Sequence, residues 1–419
     1  VNDSPTRRHV TGLSLVFALV YFVQGLGSPS DGLLVQPVMA LLARDGLGPE
    51  GISRFMAVAA LPWLVKPLLG LVSDRWPLLG RRRTGWLVLA SAAATAAFFG
   101  LYAAERGDTG LALLLVLLTT ATLGVAFSDV VIDALMVETG QPLGLTGRLQ
   151  SVQWASMYAA TVAAGVLGGW LAEPGRAPLA FLLSGTFAGL SLLLALVALR
   201  EPAAPTDAAR RPVGLLAALR RPPLPAVAAF LALWSFNPFG ATVQYVHWTE
   251  HLGFGESFYG LASSVLGVGA LCGSAAYGLL VRGLSRRTLV GLTVVFGVGS
   301  TLAYAGVASE VHALLASFVV GFCYLIASLT QLELAARLCP PQWAATVFAG
   351  LMALSNTSLT AADVVGSSAY AAGSTRFGAD ATYLGLVLVG AGCTALCGLF
   401  VGVLGDEHAA RSDDGGAPR

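Results

Sequence analysis

Lys66 is the only lysine in the chain, and it stands inside the apolar stretch Phe55–Val72. An ammonium within a bilayer costs about 3 kcal/mol, so a group placed there marks a functional site by default. The alternatives are a stem that carries the charge to an interface or a carboxylate that neutralises it. Asp31, near the middle of the first long apolar segment, is expected to face the interior as Lys66 does, and the sequence does not encode whether the two touch. Burial disfavours a charged carboxyl. A pair of this kind can therefore be opened by protonating Asp31, or by an anion that competes for Lys66. A static ion pair that only stabilises the bundle is the other reading.

A second set of charges lies near one arginine-rich loop. Asp129 and Asp133 are four residues apart and share a helix face. Asp129 is the deeper of the two and joins Asp31 as a proton-coupling candidate. Asp133 and Glu138 are expected to latch onto Arg81, Arg82 and Arg83, the loop that follows Asp74. Glu333 and Arg337, also four apart, should satisfy each other. Polar or aromatic residues at comparable depth are the candidates to line a binding site: Gln24, Trp63, Tyr158, Asn237, Gln244, Tyr245 and Asn356. Trp63 lies three residues before Lys66, so stacking and charge would fall on nearly one face, which suits an aromatic acid.

One string resembles enzyme chemistry. His247-Trp248-Thr249-Glu250-His251 has the H-x-x-E-H spacing of a helical zinc site. No convincing third ligand is evident from the sequence, so neither a metal nor a cofactor is expected. A Walker-type phosphate loop is absent, which argues against ATP-driven pumping. The five cysteines have no zinc-site spacing, and their odd number does not suit a disulfide framework.

The elements that position these residues are membrane helices. Of the 419 residues, 56% are hydrophobic and 11% charged, with a mean hydropathy of +0.74; soluble domains are about 25% charged. Apolar segments are predicted at 10–43, 53–73, 84–104, 110–138, 148–172 and 178–200. A second set follows at 225–250, 257–281, 287–308, 312–338, 342–372 and 379–404. Arginines crowd alternate loops, among them Arg7, Arg8, Arg75, Arg148, Arg210, Arg211, Arg286 and Arg287. The positive-inside rule then puts both termini in the cytoplasm and requires an even number of spans, twelve here.

Arg200–Pro225 holds six prolines and five arginines and reads as a linker. The expected organisation is a six-helix bundle over 1–200, a cytoplasmic linker over 201–224, a second six-helix bundle over 225–405, and a cytoplasmic tail over 406–419. Gly70-Leu-Val-Ser-Asp74-Arg75 is echoed weakly by Gly278-Leu-Leu-Val-Arg282. The first segment carries Gly25, Gly27, Pro29, Gly32 and Pro37, and the seventh carries Asn237-Pro238. Broken helices at matching places in two halves point to a substrate site near the bilayer midplane.

Gly70-x-x-Ser73-Asp74 followed by Arg81-Arg82-Arg83 resembles the signature loop of the major facilitator superfamily. Leu61-Pro62-Trp63-Leu64-Val65-Lys66-Pro67-Leu68-Leu69-Gly70 is similar to the second helix of folate–biopterin transporters. Tyr21-Phe22-Val23-Gln24-Gly25, Ser128-Asp129 through Asp133 to Glu138, and Leu149-Gln150-Ser151 with Trp154 extend the likeness. His251-Leu252-Gly253-Phe254 and Ala335 to Pro340 continue it in the second half.

The resemblance implies an all-α membrane protein of major facilitator fold. It also implies proton-coupled secondary transport of a folate- or pterin-like organic anion across a bacterial inner membrane. The partners expected are that anion, protons and the lipid bilayer. No nucleic acid is expected, and the chain is expected to act as a monomer and not as an enzyme. The alternatives are another amphipathic cargo, such as a muropeptide, lipid or natural product, and a membrane receptor that does not transport.

Overall fold

The computed structural model describes residues 7–27, 32–47, 49–104, 110–197, 214–220, 222–280 and 284–405. Helices occupy every one of the predicted apolar segments. Among the described residues, eight helices are long and apolar enough to cross a membrane, and Ser14–Leu26, Leu224–Ser235 and Leu261–Tyr277 are shorter apolar helices. Asp31 and the tail 406–419 lie outside the described residues, as does most of the expected linker.

The chain divides into two compact units. The first comprises Val1–Pro212 together with Pro340–Gly350, and the second comprises Val213–Cys339 with Leu351–Arg419.

The first unit contains α1 (Arg7–Leu26), α2 (Val35–Arg44), α3 (Pro49–Ala60), α4 (Lys66–Arg75), α5 (Thr84–Ala104), α6 (Leu111–Leu143), α7 (Thr146–Leu171) and α8 (Ala177–Val197). The first predicted span is broken between α1 and α2, where the glycines and prolines stand. Leu33 N–H donates to the Leu26 carbonyl across the break, at 2.8 Å. The second span is broken as well, which the sequence reading did not anticipate. Leu61–Trp63 tightens into a 3-10 turn, and α4 restarts at Lys66 with Pro67 in its first turn. Pro67 has no N–H, and its ring conflicts with the carbonyl four residues back, so the helix cannot run through it. Lys66 is thereby the first residue of a new helix, where the backbone dipole favours negative charge.

The core of this unit is built on close approach of small residues. A Cβ added at Gly124 of α6 would stand 2.6 Å from the Ala90 carbonyl of α5, and one at Gly25 of α1 would stand 2.7 Å from the Ala160 methyl of α7. Such contacts let membrane helices pack backbone to backbone without a hydrophobic drive between them. They hold α6 against its neighbours, and its buried residues include Ser128 and Asp129.

The second unit contains α9 (Leu215–Leu219), α10 (Leu224–Ser235), α11 (Ala241–Val246), α12 (Glu256–Leu280), α13 (Arg286–Ala303) and α14 (Glu310–Leu338). It continues through Leu351–Phe377 of α15 (Ala344–Phe377), α16 (Ala379–Leu396) and α17 (Val401–Gly405). The short α9 falls within the expected linker. The predicted break at Asn237-Pro238 separates α10 from α11, and Asn237 stabilises it by accepting from the Phe239 N–H at 3.0 Å. After α11 the chain makes one π turn, His247–His251. Phe239, Trp248, Tyr304, Tyr370 and Tyr383 pack together in the aromatic core around that turn.

Candidate functional site

Lys66 Nζ meets Asp129 Oδ2 at 2.5 Å, with both side chains largely buried. The ammonium also lies over the Trp63 ring, 3.9 Å from its centroid. The kink between Trp63 and Lys66 is what turns the indole under the charge, and a cation over an indole face gains electrostatic attraction. One helical turn further along α6, Asp133 accepts from the Tyr21 hydroxyl at 2.8 Å and from the Gln153 amide at 2.9 Å. Tyr21 comes from α1 and Gln153 from α7, so three helices converge on the Asp133 carboxyl. Asp133 is also within electrostatic range of Asp129 and Lys66. Two carboxyl groups thus lie within range of one ammonium.

The expectation that Asp133 latches onto the arginine loop is corrected by this arrangement. Asp133 points toward Tyr21 and Gln153, and Glu138, five residues on, receives the arginines. Arg83 is fully buried; its Nη2 contacts Asp74 Oδ1 at 2.5 Å and Glu138 Oε1 at 2.6 Å, and its Nη1 donates to Ser73 Oγ at 2.7 Å. Burial alone would lower the Arg83 pKa, but Glu138 and then Asp74 outweigh it and raise the value. Arg82 adds pairs to Glu138 at 3.3 Å and to Asp74 at 3.4 Å, and donates to the carbonyls of Pro341 and Gln342. Arg81 is exposed. Its backbone closes a two-residue turn with Leu78, in which Leu79 and Gly80 both have positive φ. That turn reverses the chain and aims Arg82 and Arg83 back at α4.

The other Asp74 oxygen accepts from the Thr346 N–H at 2.7 Å and from the Thr346 hydroxyl at 2.6 Å. Thr346 is the third residue of α15, so the carboxylate caps that helix start, where unpaired N–H groups attract an anion. Gly70 permits the approach. A Cβ there would stand 2.8 Å from the Ala345 carbonyl. The spacing of Gly70, Ser73, Asp74 and Arg83 therefore has a physical explanation within the first unit.

The remaining candidates behave differently from one another. Gln24 lines an interior cavity with Ser91, Ser128, Ser184 and Ser191. Both of its buried amide atoms lack a hydrogen-bond partner among the described residues. Tyr158 packs against Trp154, with ring centroids 5.8 Å apart. In the second unit, Asn237 is engaged by Phe239 N–H and by the Thr301 hydroxyl at 3.3 Å, which suits a structural cap. Tyr245 is an edge partner of Tyr259, Gln244 is half-buried, and Asn356 is exposed on α15. Tyr21 and Gln153 were missed as functional residues. Their signal was present only as polar groups within apolar helices, with nothing to indicate which carboxylate they serve.

Comparison with known proteins identifies the family. The model of the BT1 family matches residues 30–410. The folate–biopterin transporter of Synechocystis sp. is 29% identical over 372 residues, spanning 84% of this chain and 74% of that protein. Folate transporter 2 of Plasmodium falciparum is 23% identical over 81% of this chain and 77% of its own length. Among solved structures, the major facilitator superfamily transporter FucP in the outward conformation aligns with a TM-score of 0.67 at 14% identity, covering 94% of this chain and 99% of that one. A human organic anion transporter aligns with a TM-score of 0.66 at 18% identity, covering 92% and 99%. At these identities the structural likenesses establish the fold alone. With a family match across most of its length and relatives that are named folate–biopterin transporters, the chain belongs to the BT1 family; it has the major facilitator fold and is a multi-pass membrane transporter rather than an enzyme.

Proposed function

We propose that the protein carries a folate- or pterin-like organic anion across the bacterial inner membrane together with a proton, acting as a monomer with both termini in the cytoplasm. The observation that carries this reading is the Lys66–Asp129 pair over Trp63 at the start of a broken helix. A substrate carboxylate can replace Asp129 on Lys66, and the heterocycle can stack on an aromatic face such as Trp63. Protonation of Asp129 releases Lys66 for that exchange, so proton and anion enter together. Asp133, held nearby by Tyr21 and Gln153, is a second carboxyl that can take up a proton. The relatives named as folate or folate–biopterin transporters support the substrate class.

The arginine cluster has a separate task in this reading. Arg83, Asp74 and Glu138 hold the start of α15, and breaking the Asp74 cap releases Pro340–Gly350 in the opposite transport state. Asp31 stays a second proton-coupling candidate on sequence grounds.

Labelled folate and biopterin uptake into proteoliposomes, with an imposed inward proton gradient, tests the proposal. Wild-type protein should accumulate one of them, and a protonophore should abolish accumulation. Asp129→Asn should lose gradient-driven accumulation at least tenfold, yet keep exchange between equal concentrations. Folded protein that moves neither compound would remove the substrate assignment. Accumulation that ignores the gradient would remove the coupling.

A further inference from the structure

The H-x-x-E-H string of the second unit finds in the structure what the sequence could not supply. Asp380, in the first turn of α16, lies 129 residues beyond His251, yet its Oδ1 is 2.9 Å from His251 Nε2 and 3.8 Å from His247 Nε2. Suitable ligand atoms from all three residues fall within 4.8 Å of one another. We propose that His247, His251 and Asp380 form a binding site for one divalent transition-metal ion of the zinc type.

The surroundings are those of a prepared imidazole ligand. His247 is buried, stacked on Tyr383 with centroids 3.9 Å apart and planes 18° from parallel, so its ring cannot swing freely. Its Nδ1 is 2.9 Å from the Tyr370 hydroxyl. With the Nδ1 proton donated to that hydroxyl, Nε2 keeps its lone pair and faces the other two ligands. Fixing a ligand histidine through its second nitrogen is the usual outer-shell arrangement at metal sites. The two histidines sit on the single π turn, with ring centroids 4.9 Å apart. Turns of this kind gather at functional sites.

Distances and chemistry select the ion class. Ligands about 2.0 Å from a tetrahedral ion are roughly 3.3 Å apart. The His251–Asp380 separation is slightly below that and His247–Asp380 slightly above, while the ligand nitrogens of the two histidines, within 4.8 Å, would draw together on closure. Two imidazoles and one carboxylate suit zinc, cobalt or nickel, whereas magnesium and calcium prefer all-oxygen sites. An ion can arrive from the adjoining pocket, which Thr242, Val246, Glu250, His251, Ser367 and Tyr370 help to line. That opening leaves a fourth position for water or for a donor on a passing ligand. Glu250 need not coordinate, and the usual general-base role of that motif position is not invoked. The site rests on the second unit alone and does not depend on the proposed cargo.

The test is a zinc titration of the full-length, tag-free protein in detergent, in competition with a chromogenic chelator. Wild-type protein should bind one zinc per chain. Asp380→Asn and His251→Ala should each weaken binding at least tenfold. Both positions are exposed, and both variants should keep the wild-type helical spectrum and melting temperature without zinc. Cobalt(II) should give the visible bands of a low-symmetry site containing imidazole, and millimolar magnesium should not displace it. Absence of one-to-one binding, or wild-type affinity in either variant, would overturn the assignment and leave His251–Asp380 as a hydrogen-bonded pair.

Discussion

The two units handle buried charge on their long helices in opposite ways. On α6 of the first unit, Asp129, Asp133 and Glu138 all receive partners from elsewhere in the chain: Lys66, Tyr21 with Gln153, and Arg82 with Arg83. On α14 of the second unit, Glu333 receives Arg337 from its own helix, four residues away, and the Tyr277 hydroxyl at 2.6 Å from α12. A pair within one helix travels with that helix and cannot sense its neighbours. A pair between segments distant in sequence changes when either segment moves. The first unit therefore holds the charges that a conformational change or a competing anion can redistribute. Apart from Glu333, neutral groups pair in the interior of the second unit, such as Asn237 with Thr301 and Trp248 with Tyr383.

The largest effect expected from this contrast is at Arg83. Its guanidinium is fully buried and serves two carboxylates and the Ser73 hydroxyl. Arg83→Ala leaves Asp74 and Glu138 only the longer contacts of the more exposed Arg82, a loss of about 3 kcal/mol. Thermal denaturation in detergent should show a pronounced fall in melting temperature. Arg83→Lys should recover only part of it, because a point charge cannot reach both carboxylates with the geometry of the planar fork. A lysine variant as stable as wild type would mean that charge alone, and not the fork, holds this corner.

Lys66→Ala comes next and acts on ligand binding. Removing one partner of a buried charge pair costs about 2–5 kcal/mol, so folate binding by the purified protein should weaken by more than tenfold. The double variant Lys66→Ala with Asp129→Asn should regain stability, since residue 129 is no longer a carboxylate stripped of its ammonium, without regaining affinity. Wild-type affinity in the single variant would remove Lys66 as the anion site and erase the functional side of the contrast.

A third, smaller effect falls at Gly70. The alanine methyl would stand 2.8 Å from the Ala345 carbonyl and 2.9 Å from Thr346 N. Overpacking of this kind costs about 1–3 kcal/mol. The strain is relieved when residues 340–350 withdraw, so Gly70→Ala should raise the labelling rate of a cysteine placed at Thr346. Unchanged labelling would show that the cap is not what holds the segment.

The sequence made much of the first unit legible, because its departures from apolar composition are few and each is costly. A lone lysine in an apolar run, carboxylates four apart, and Gly70 through Arg83 all stood out. The breaks near Gly27 and at Asn237-Pro238 were readable from glycine and proline. What stayed hidden was partner choice. Lys66 takes Asp129, while the candidate Asp31 lies outside the described residues; Asp133 takes Tyr21 and Gln153, and Glu138 takes the arginines. Residues 129 and 133 lie about 40° apart around one helix, so a modest rotation of α6 decides which of them faces Lys66. Nothing in the spacing encodes that rotation. It follows from close contacts such as Gly124 on Ala90. Asp380 was equally invisible, since only folding brings the start of α16 to His251.

The smallest effect is expected at Arg337, and it tests the comparison from the other side. The Arg337 side chain is 45% exposed, whereas that of Glu333 is 8% exposed. An ion pair with one partner in solvent contributes about 0–1 kcal/mol. Glu333 also keeps the Tyr277 hydroxyl when the arginine is removed. Arg337→Ala should therefore lower the melting temperature only slightly and leave gradient-driven uptake within a factor of two of wild type. The reason is the local character of the pair: whatever α14 does during transport, Glu333 and Arg337 do together, so their bond cannot distinguish one state from another. If Arg337→Ala instead uncoupled uptake from the gradient while sparing exchange, Glu333 would be a proton-linked group in its own right. The division between a charged, responsive first unit and a self-satisfied second unit would then fail.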